Sequence, residues 1–281
     1  MRRNKFLDQV PKHLIIWFIL IFTFFPVVWT ISASLRAGGG LVGQRLIPEV
    51  LTFEHYSNLK EIGFFNWIKN SLIVSLTTAI LTVFFVSLAA YAFSRFNFWG
   101  KKYSLLTLLI LQMFPAVMGM VAVYLLLFHI GKYIPFLGLN TLSGLIMVYL
   151  GGGIPYNIWL MKGFFDSIPD SLEESALIDG ATRFQAYYKI ILPLATPILA
   201  VVAINSFIGT YSDFLLASII LKDPSKYTFA VGLRNFISGL YDVRWGDFAA
   251  ASIVGALPIV ILFLSLQNLI VSGLTRGAVK E

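Results

Sequence analysis

The chain contains no cysteine. A disulfide framework, a thiolate metal site and a cysteine nucleophile are therefore excluded. Charge is scarce: 12% of the 281 residues are Asp, Glu, Lys or Arg, where a soluble domain carries roughly a quarter. Histidine is limited to His13, His55 and His129. They fall on a tail, a loop and a helix end, with no HExxH or other ligand spacing, which argues against a metal centre. The glycine triplets at 38–40 and 151–153 lack the GxxxxGK[ST] pattern of a phosphate-binding loop. The sequence has no soluble domain, low-complexity segment, heptad array or convincing internal repeat.

What the chain has instead is hydrocarbon. Hydrophobic residues make up 58% of it, and its mean hydropathy is +0.81. That combination predicts an all-α, polytopic membrane protein. The net charge of +7 then reads as cytoplasmic Lys and Arg rather than as a nucleic-acid surface. The opening "MRRNKFLDQVPKHLIIWF" has a basic start, but its apolar run is of full span length. It is expected to be a signal-anchor helix rather than a cleaved signal.

A spanning helix needs about 20 apolar residues. Six stretches qualify: about Leu14–Leu35, Ile68–Phe93, Ser104–His129, Leu142–Phe165, Pro193–Leu221 and Phe248–Ser272. An even number puts both termini on one side. The first tail holds Arg2, Arg3, Lys5 and Lys12, and the tight loop "RFNFWGKK" holds Arg95, Lys101 and Lys102. Lys162 precedes the loop at 166–192, Arg183 and Lys189 lie within it, and Arg276 and Lys280 mark the C-terminal tail. This density predicts cytoplasmic termini, with 36–67, 131–141 and 222–247 facing outward. Pro26, Pro115, Pro155, Pro197 and Pro258 lie in or beside the spans. They fit hinged, cavity-lining helices or ordinary membrane-helix kinks.

One segment differs from its greasy surroundings: "SIPDSLEESALIDGATRFQAYYKIILPL", Ser167–Leu194. Ser167 is expected to cap a helix, with Pro169 in its first turn and Asp170 three residues on. Asp170, Glu173 and Glu174 place negative charge at the helix start. Gly180 supplies a residue that tolerates positive φ and stops the helix near Asp179. Thr182 and Gln185 repeat the capping-box pattern. Phe184, Tyr187, Tyr188 and Ile191 then form one apolar stripe. Such a face needs a protein partner or a seat in the lipid headgroups.

The same residues carry a resemblance. "EESALIDGATRFQAYYKIILPL" resembles the EAA loop of binding-protein-dependent ABC importer permeases. Glu174, Ser175 and Ala176 stand for E-A-A, with serine replacing the first alanine. Asp179, Gly180 and Ala181 follow, and Ile190 to Pro193 close the motif. "NSLIVS", "AAYAFSRFNFWGKK" and "LQMFPAVMGMVAVYLL" are similar to the carbohydrate branch. "WGDFAAA", "ALPI" and "GLT-GAVK" resemble MalG-type subunits of maltose/maltodextrin importers.

The resemblance implies one MetI-like (type I ABC importer) permease domain over residues 1–281 in a bacterial or archaeal cytoplasmic membrane. It implies a coupling loop at 166–192 and a tail at 274–281 that reaches the ATPase dimer. Implied partners are a MalF-type permease, an ABC ATPase dimer and an extracytoplasmic sugar-binding protein, besides membrane lipid. No nucleic acid or metal is implied, no cofactor is expected in this chain, and ATP and Mg belong to the ATPase. ATPase coupling falls on Glu174, Ser175, Ala176, Asp179, Gly180, Ala181, Phe184, Tyr187 and Pro193. The outward loop 233–245 resembles the one that reaches into the binding protein, making Asn235, Phe236, Tyr241 and Trp245 candidate contacts; its aromatics fit sugar contact and plain packing equally.

The fifth span is polar for a membrane helix. Asn205, Ser206, Thr210 and Tyr211 are candidates for the translocation path, and interhelical hydrogen bonding explains them as well. Two rivals stand against this reading. A membrane enzyme needs a convergent acid/base set or a metal. A stand-alone secondary carrier needs intramembrane charges and often a repeat.

Overall fold

In the computed structural model of the chain, residues 5–38, 46–239 and 243–278 are described. Their helices, in order, are α1 (Lys5–Leu35), α2 (Glu54–Glu61), α3 (Phe64–Arg95), α4 (Lys101–Met113), α5 (Ala116–Tyr133), α6 (Leu142–Asp166), α7 (Ser171–Ile178), α8 (Arg183–Ala186), α9 (Leu192–Leu194), α10 (Thr196–Tyr211), α11 (Leu215–Ile220), α12 (Phe229–Leu233) and α13 (Trp245–Ala278). Among the described residues, four helices are long and apolar enough to cross a membrane: α1 from Pro11, α3, α6 and α13 to Ile270. Two bent pairs complete a set of up to six. The backbone falls into two compact units, 1–65 with 232–257 and 66–231 with 258–281.

The first unit carries α1, whose most apolar 18 residues bury nothing, while Ser32 and Ser34 near its end are buried. A helix apolar all round suits lipid or another chain. Where it ends, Ser34 hydrogen-bonds the Tyr56 hydroxyl on α2 at 2.8 Å. A bridge pairs Arg36 with Leu51. His55 is buried beside Arg36. Its Nε2 donates to the Arg36 carbonyl at 2.9 Å, and its Nδ1 lies 2.6 Å from Asp247 Oδ1. Asp247 also takes Arg244 at 2.5 Å and Asn58 at 3.3 Å. It stands in the first turn of α13, where the helix dipole favours a carboxylate. Gly246 lies flat against the His55 ring, for a Cβ there would meet ring atoms at 2.1–2.6 Å.

The second unit is built around α3. Ser71, Ser75, Thr78 and Thr82 follow one buried stripe of it. Small polar residues at that spacing let membrane helices approach closely and bond across. Ser71 Oγ accepts from Phe229 N at 2.7 Å, and Ser206 donates to Thr82 at 3.3 Å. Two apolar cores fill this unit. One joins Val86, Tyr91, Met161, Phe165, Tyr187 and Ile191. The other joins Val74, Leu127, Leu145, Tyr149, Ile220 and Val231. Near the second core, the Asn140 side chain accepts from Lys222 N at 3.1 Å and Asp223 N at 3.0 Å. Two loops expected to face the same way, 131–141 and the start of 222–247, are therefore stitched together.

Two expected spans are corrected. The third is not one helix: α4 and α5 meet at 105°. Phe114 precedes Pro115 and is driven to extended backbone, at ψ 125°, because the proline ring disfavours helical geometry in the residue before it. The fifth does not run to Leu221. Helix α10 stops at Tyr211, and α11 begins at Leu215. Asp213 stabilises the break by accepting from Ala217 N at 3.1 Å and from the Tyr149 hydroxyl at 2.8 Å. The first cap is corrected as well. Ser167 ends α6, donating its hydroxyl to Phe164 O at 2.6 Å, and the residue ahead of α7 is Asp170, without a side-chain cap bond.

Candidate functional site

Helix α7, the turn at Gly180 and α8 form a helical hairpin. Its first arm is fastened from within. Glu173 is buried, and its carboxylate takes the Arg95 Nε–H and the Tyr91 hydroxyl, the latter at 2.8 Å. Arg95 closes the α3 side, with its other nitrogens on Asp170 at 2.8 Å and the Ile168 carbonyl at 2.9 Å. One guanidinium thus holds a carboxylate, a backbone oxygen and the charge at the helix start. Asp166 adds a second tie, accepting from Ser94 at 2.7 Å and pairing with Lys162 at 2.5 Å. Ser94, Arg95, Asp166, Asp170 and Glu173 line a polar cleft of about 590 Å³ that also reaches Glu174 and Arg183.

The turn is set by backbone chemistry. Gly180 has φ +89°, the left-handed conformation that costs a residue with a Cβ about 1–2 kcal/mol. Ala181 N donates to Ala176 O at 2.9 Å, and Gly180 N to Leu177 O at 3.1 Å. Those two bonds form a Schellman closure, which satisfies carbonyls that the helix end leaves open. The second arm starts with the expected capping box. Thr182 N donates to Gln185 Oε1 at 2.7 Å, and Gln185 N to Thr182 Oγ1 at 3.2 Å.

The aromatic stripe straddles the boundary between core and surroundings. Tyr187 and Ile191 are buried, whereas Phe184 is 66% and Tyr188 43% exposed. The Tyr187 hydroxyl donates to Ser87 at 2.9 Å, and its ring sits 4.8 Å from Tyr91. Residues 187–191 form a π-helical turn, so the sequence spacing of an ideal α-helix does not hold here. Beyond it the chain bends by 75° into α10. Pro193 is exposed at the start of α9, just before the bend. Glu174, Ser175, Asp179 and Gly180 are exposed, and Ala176 and Ala181 are half-buried. The exposed groups of the hairpin thus include the acids Glu174 and Asp179 and the large apolar Leu172, Ile178 (86% exposed), Phe184 and Tyr188.

The remaining candidates are dispersed. Of the four path candidates on α10, Asn205 is exposed, and Ser206 is engaged with Thr82. Thr210 bonds back to Ser206 O at 2.8 Å. Tyr211 is 1% exposed and stacked on Phe207 at 5.5 Å. In the loop 233–245 Asn235 is exposed, while Phe236 is buried under the Arg244 guanidinium, 5.8 Å from its ring. Trp245 is half-buried against Phe248. Tyr241 lies outside the described residues, as do the last three residues of the tail.

Sequence reasoning missed the Glu173–Arg95–Tyr91 cluster. It read Glu173 as a helix-start charge and Arg95 as a mark of membrane orientation. One signal was present: adjacent residues on an α-helix point about 100° apart, so Glu173 and Glu174 could not serve the same surface.

Comparison with known proteins agrees with this architecture. A relative from Photorhabdus laumondii, the maltose/maltodextrin transport system permease protein MalG, is 44% identical over 96% of this chain and 95% of its own length. The galactooligosaccharides transport system permease protein GanQ of Bacillus subtilis is 38% identical over all of this chain and 98% of its own. A solved bacterial ABC transporter involved in import of the acidic polysaccharide alginate shares the fold, with a TM-score of 0.79 at 21% identity over 95% of this chain and 98% of that one. Residues 84–276 match the family described as binding-protein-dependent transport system inner membrane component. From the α3 core through the hairpin to α13, the chain therefore belongs to the family of inner-membrane components of binding-protein-dependent transport systems.

Proposed function

We propose that this chain is one of two permease subunits of an ATP-driven importer that moves an oligosaccharide into the cytoplasm. The observation that carries the coupling role is the hairpin, held internally by Glu173 and Arg95 while Glu174, Ile178, Phe184 and Tyr188 face outward. An exposed acid beside three large apolar groups suits a groove on a partner ATPase, with Glu174 meeting basic groups there. Tyr187, buried, serves as the hairpin's root rather than its face. When the partner ATPase binds ATP and Mg and closes, a hairpin so rooted passes rigid-body motion to α3 and α10. ATP is consumed by that partner. The other partners are a MalF-type permease and an extracytoplasmic sugar-binding protein, and both termini lie in the cytoplasm.

Maltose or a maltodextrin is the favoured cargo, on the 44% identity to a relative of that name. A galacto-oligosaccharide is the alternative, on the 38% identity to the Bacillus relative. The deciding experiment is purification from native membranes in mild detergent, followed by ATP hydrolysis with each sugar and its binding protein. A second permease and an ATPase are expected to copurify, and both are expected to be depleted about tenfold when Gly180→Leu strains the turn. Undiminished ATPase recovery with Gly180→Leu would remove the hairpin from the coupling role.

Asn205 is the exposed polar group of α10 and the best path candidate among the four. Asn205→Ala is expected to lower uptake severalfold at unchanged complex yield. Normal uptake by this variant assigns the polarity of α10 to helix packing.

A further inference from the structure

The end of the second unit that carries the hairpin holds another hollow, away from the coupling surface. The turn after α3 and the first residues of α4 border an open groove of about 460 Å³. Lys101, Lys102 and Lys162 line it, together with Asn97, Phe98 and Tyr103. Three lysines line it, and the Lys162 ammonium is paired with Asp166, which also accepts from Ser94. Lys101 Nζ donates to Phe96 O at 3.0 Å. Lys102 makes no hydrogen bond or ion pair with the described residues.

The surroundings are those of a membrane surface. Helix α3 leaves its apolar span at Arg95, and four residues later Trp99 is 98% exposed. Tyr103 is 72% exposed one turn further on. Tryptophan and tyrosine favour the headgroup level, where one edge of the ring meets hydrocarbon and the other meets water. Basic pockets between membrane helices on the cytoplasmic side are suited to lipid phosphates. A soluble anion would make use of the lysines but not of Phe98, Tyr103 and the Trp99 ring beside them. An acyl chain and a headgroup phosphate together make use of both.

We propose that this groove seats the headgroup of an anionic phospholipid, its phosphate among Lys101, Lys102 and Lys162 and its glycerol beside Phe98 and Tyr103. The site fixes the turn between α3 and α4 at the bilayer surface. Because Arg95 closes that same α3 end, the lipid would steady the base from which the hairpin is held.

The test uses the chain purified with its native partners in detergent, then incubated with phosphatidylglycerol or phosphatidylcholine and read by native mass spectrometry. Retention of phosphatidylglycerol above phosphatidylcholine is expected. The Lys101→Gln/Lys102→Gln variant is expected to lose about tenfold or more of that preference, and the surface variant Lys102→Gln part of it. Monodisperse elution and the melting temperature of each variant report its folding independently of partner recovery. Equal retention of the two lipids, or wild-type preference in the double variant, overturns the proposal. Complete displacement of the lipid by excess inorganic phosphate would make this a free-anion site and overturn it too. Loss of partner recovery in the correctly folded Lys102→Gln chain would assign the lysines to a protein partner instead, again against the lipid.

Discussion

Glu173→Ala is expected to uncouple the transporter while the chain still inserts in the membrane. The substitution leaves Arg95 buried with Asp170, the Ile168 carbonyl and Ser94 Oγ for company, and leaves the Tyr91 hydroxyl only its longer bond to the Arg183 carbonyl at 3.4 Å. Removing one partner of a buried ion pair costs about 3–5 kcal/mol, because the other charge stays desolvated. Here the loss falls on the attachment of α7 to α3, so it appears as a loosened hairpin. Sugar-stimulated ATP hydrolysis and uptake should both fall by about tenfold or more. Glu173→Gln, which can still accept from Tyr91, should be milder. Arg95→Met/Glu173→Met should recover part of the loss, since no uncompensated charge remains and the two positions are in contact. Wild-type coupling in Glu173→Ala would mean that the buried pair plays no part in transmission.

The second large effect is expected from Gly246→Ala. A Cβ there would stand 2.1 Å from His55 Nε2 and 2.6 Å from Cδ2. The ring cannot simply turn aside, because Arg36 O holds one nitrogen and Asp247 the other. Overpacking a filled site costs about 1–3 kcal/mol, and displacing His55 adds the loss of a hydrogen bond to a buried carboxylate, roughly 1–3 kcal/mol more. The extracted chain should melt several degrees lower and accumulate less in membranes. A melting temperature equal to wild type would show that the glycine is not packed on the ring as described.

The parts of the fold legible in the sequence are local ones. The Thr182–Gln185 capping box and the left-handed Gly180 lie within a few residues of the groups they satisfy, and their chemistry is unambiguous. The six apolar stretches were also legible, since hydropathy sums over many residues. That same averaging hid the breaks at Pro115 and Asp213, where a single residue overrides an apolar window. Long-range pairs were out of reach. Arg95 and Glu173 are 78 residues apart, and His55 and Asp247 are 192 apart; a single sequence offers no term that joins them. The aromatic stripe was half legible: its positions are right for a helix, but the π turn and the depth at which α8 is sunk decide which rings remain outside.

Glu173 and Glu174, neighbours in the chain, also differ in what drift they allow. The buried set of Glu173, Tyr187 and Ile191 is tied to α3 and can change only in concert with Tyr91, Arg95 and Ser87. Glu174, Ile178, Phe184 and Tyr188 lie outside that packing, and surface substitutions away from special features usually shift stability by less than about 0.5 kcal/mol. Successive mutations can therefore rewrite the hairpin's outer surface without unfolding its root. A gene duplicate of this chain could trade one allegiance for another by point changes at four codons, with the scaffold inherited intact.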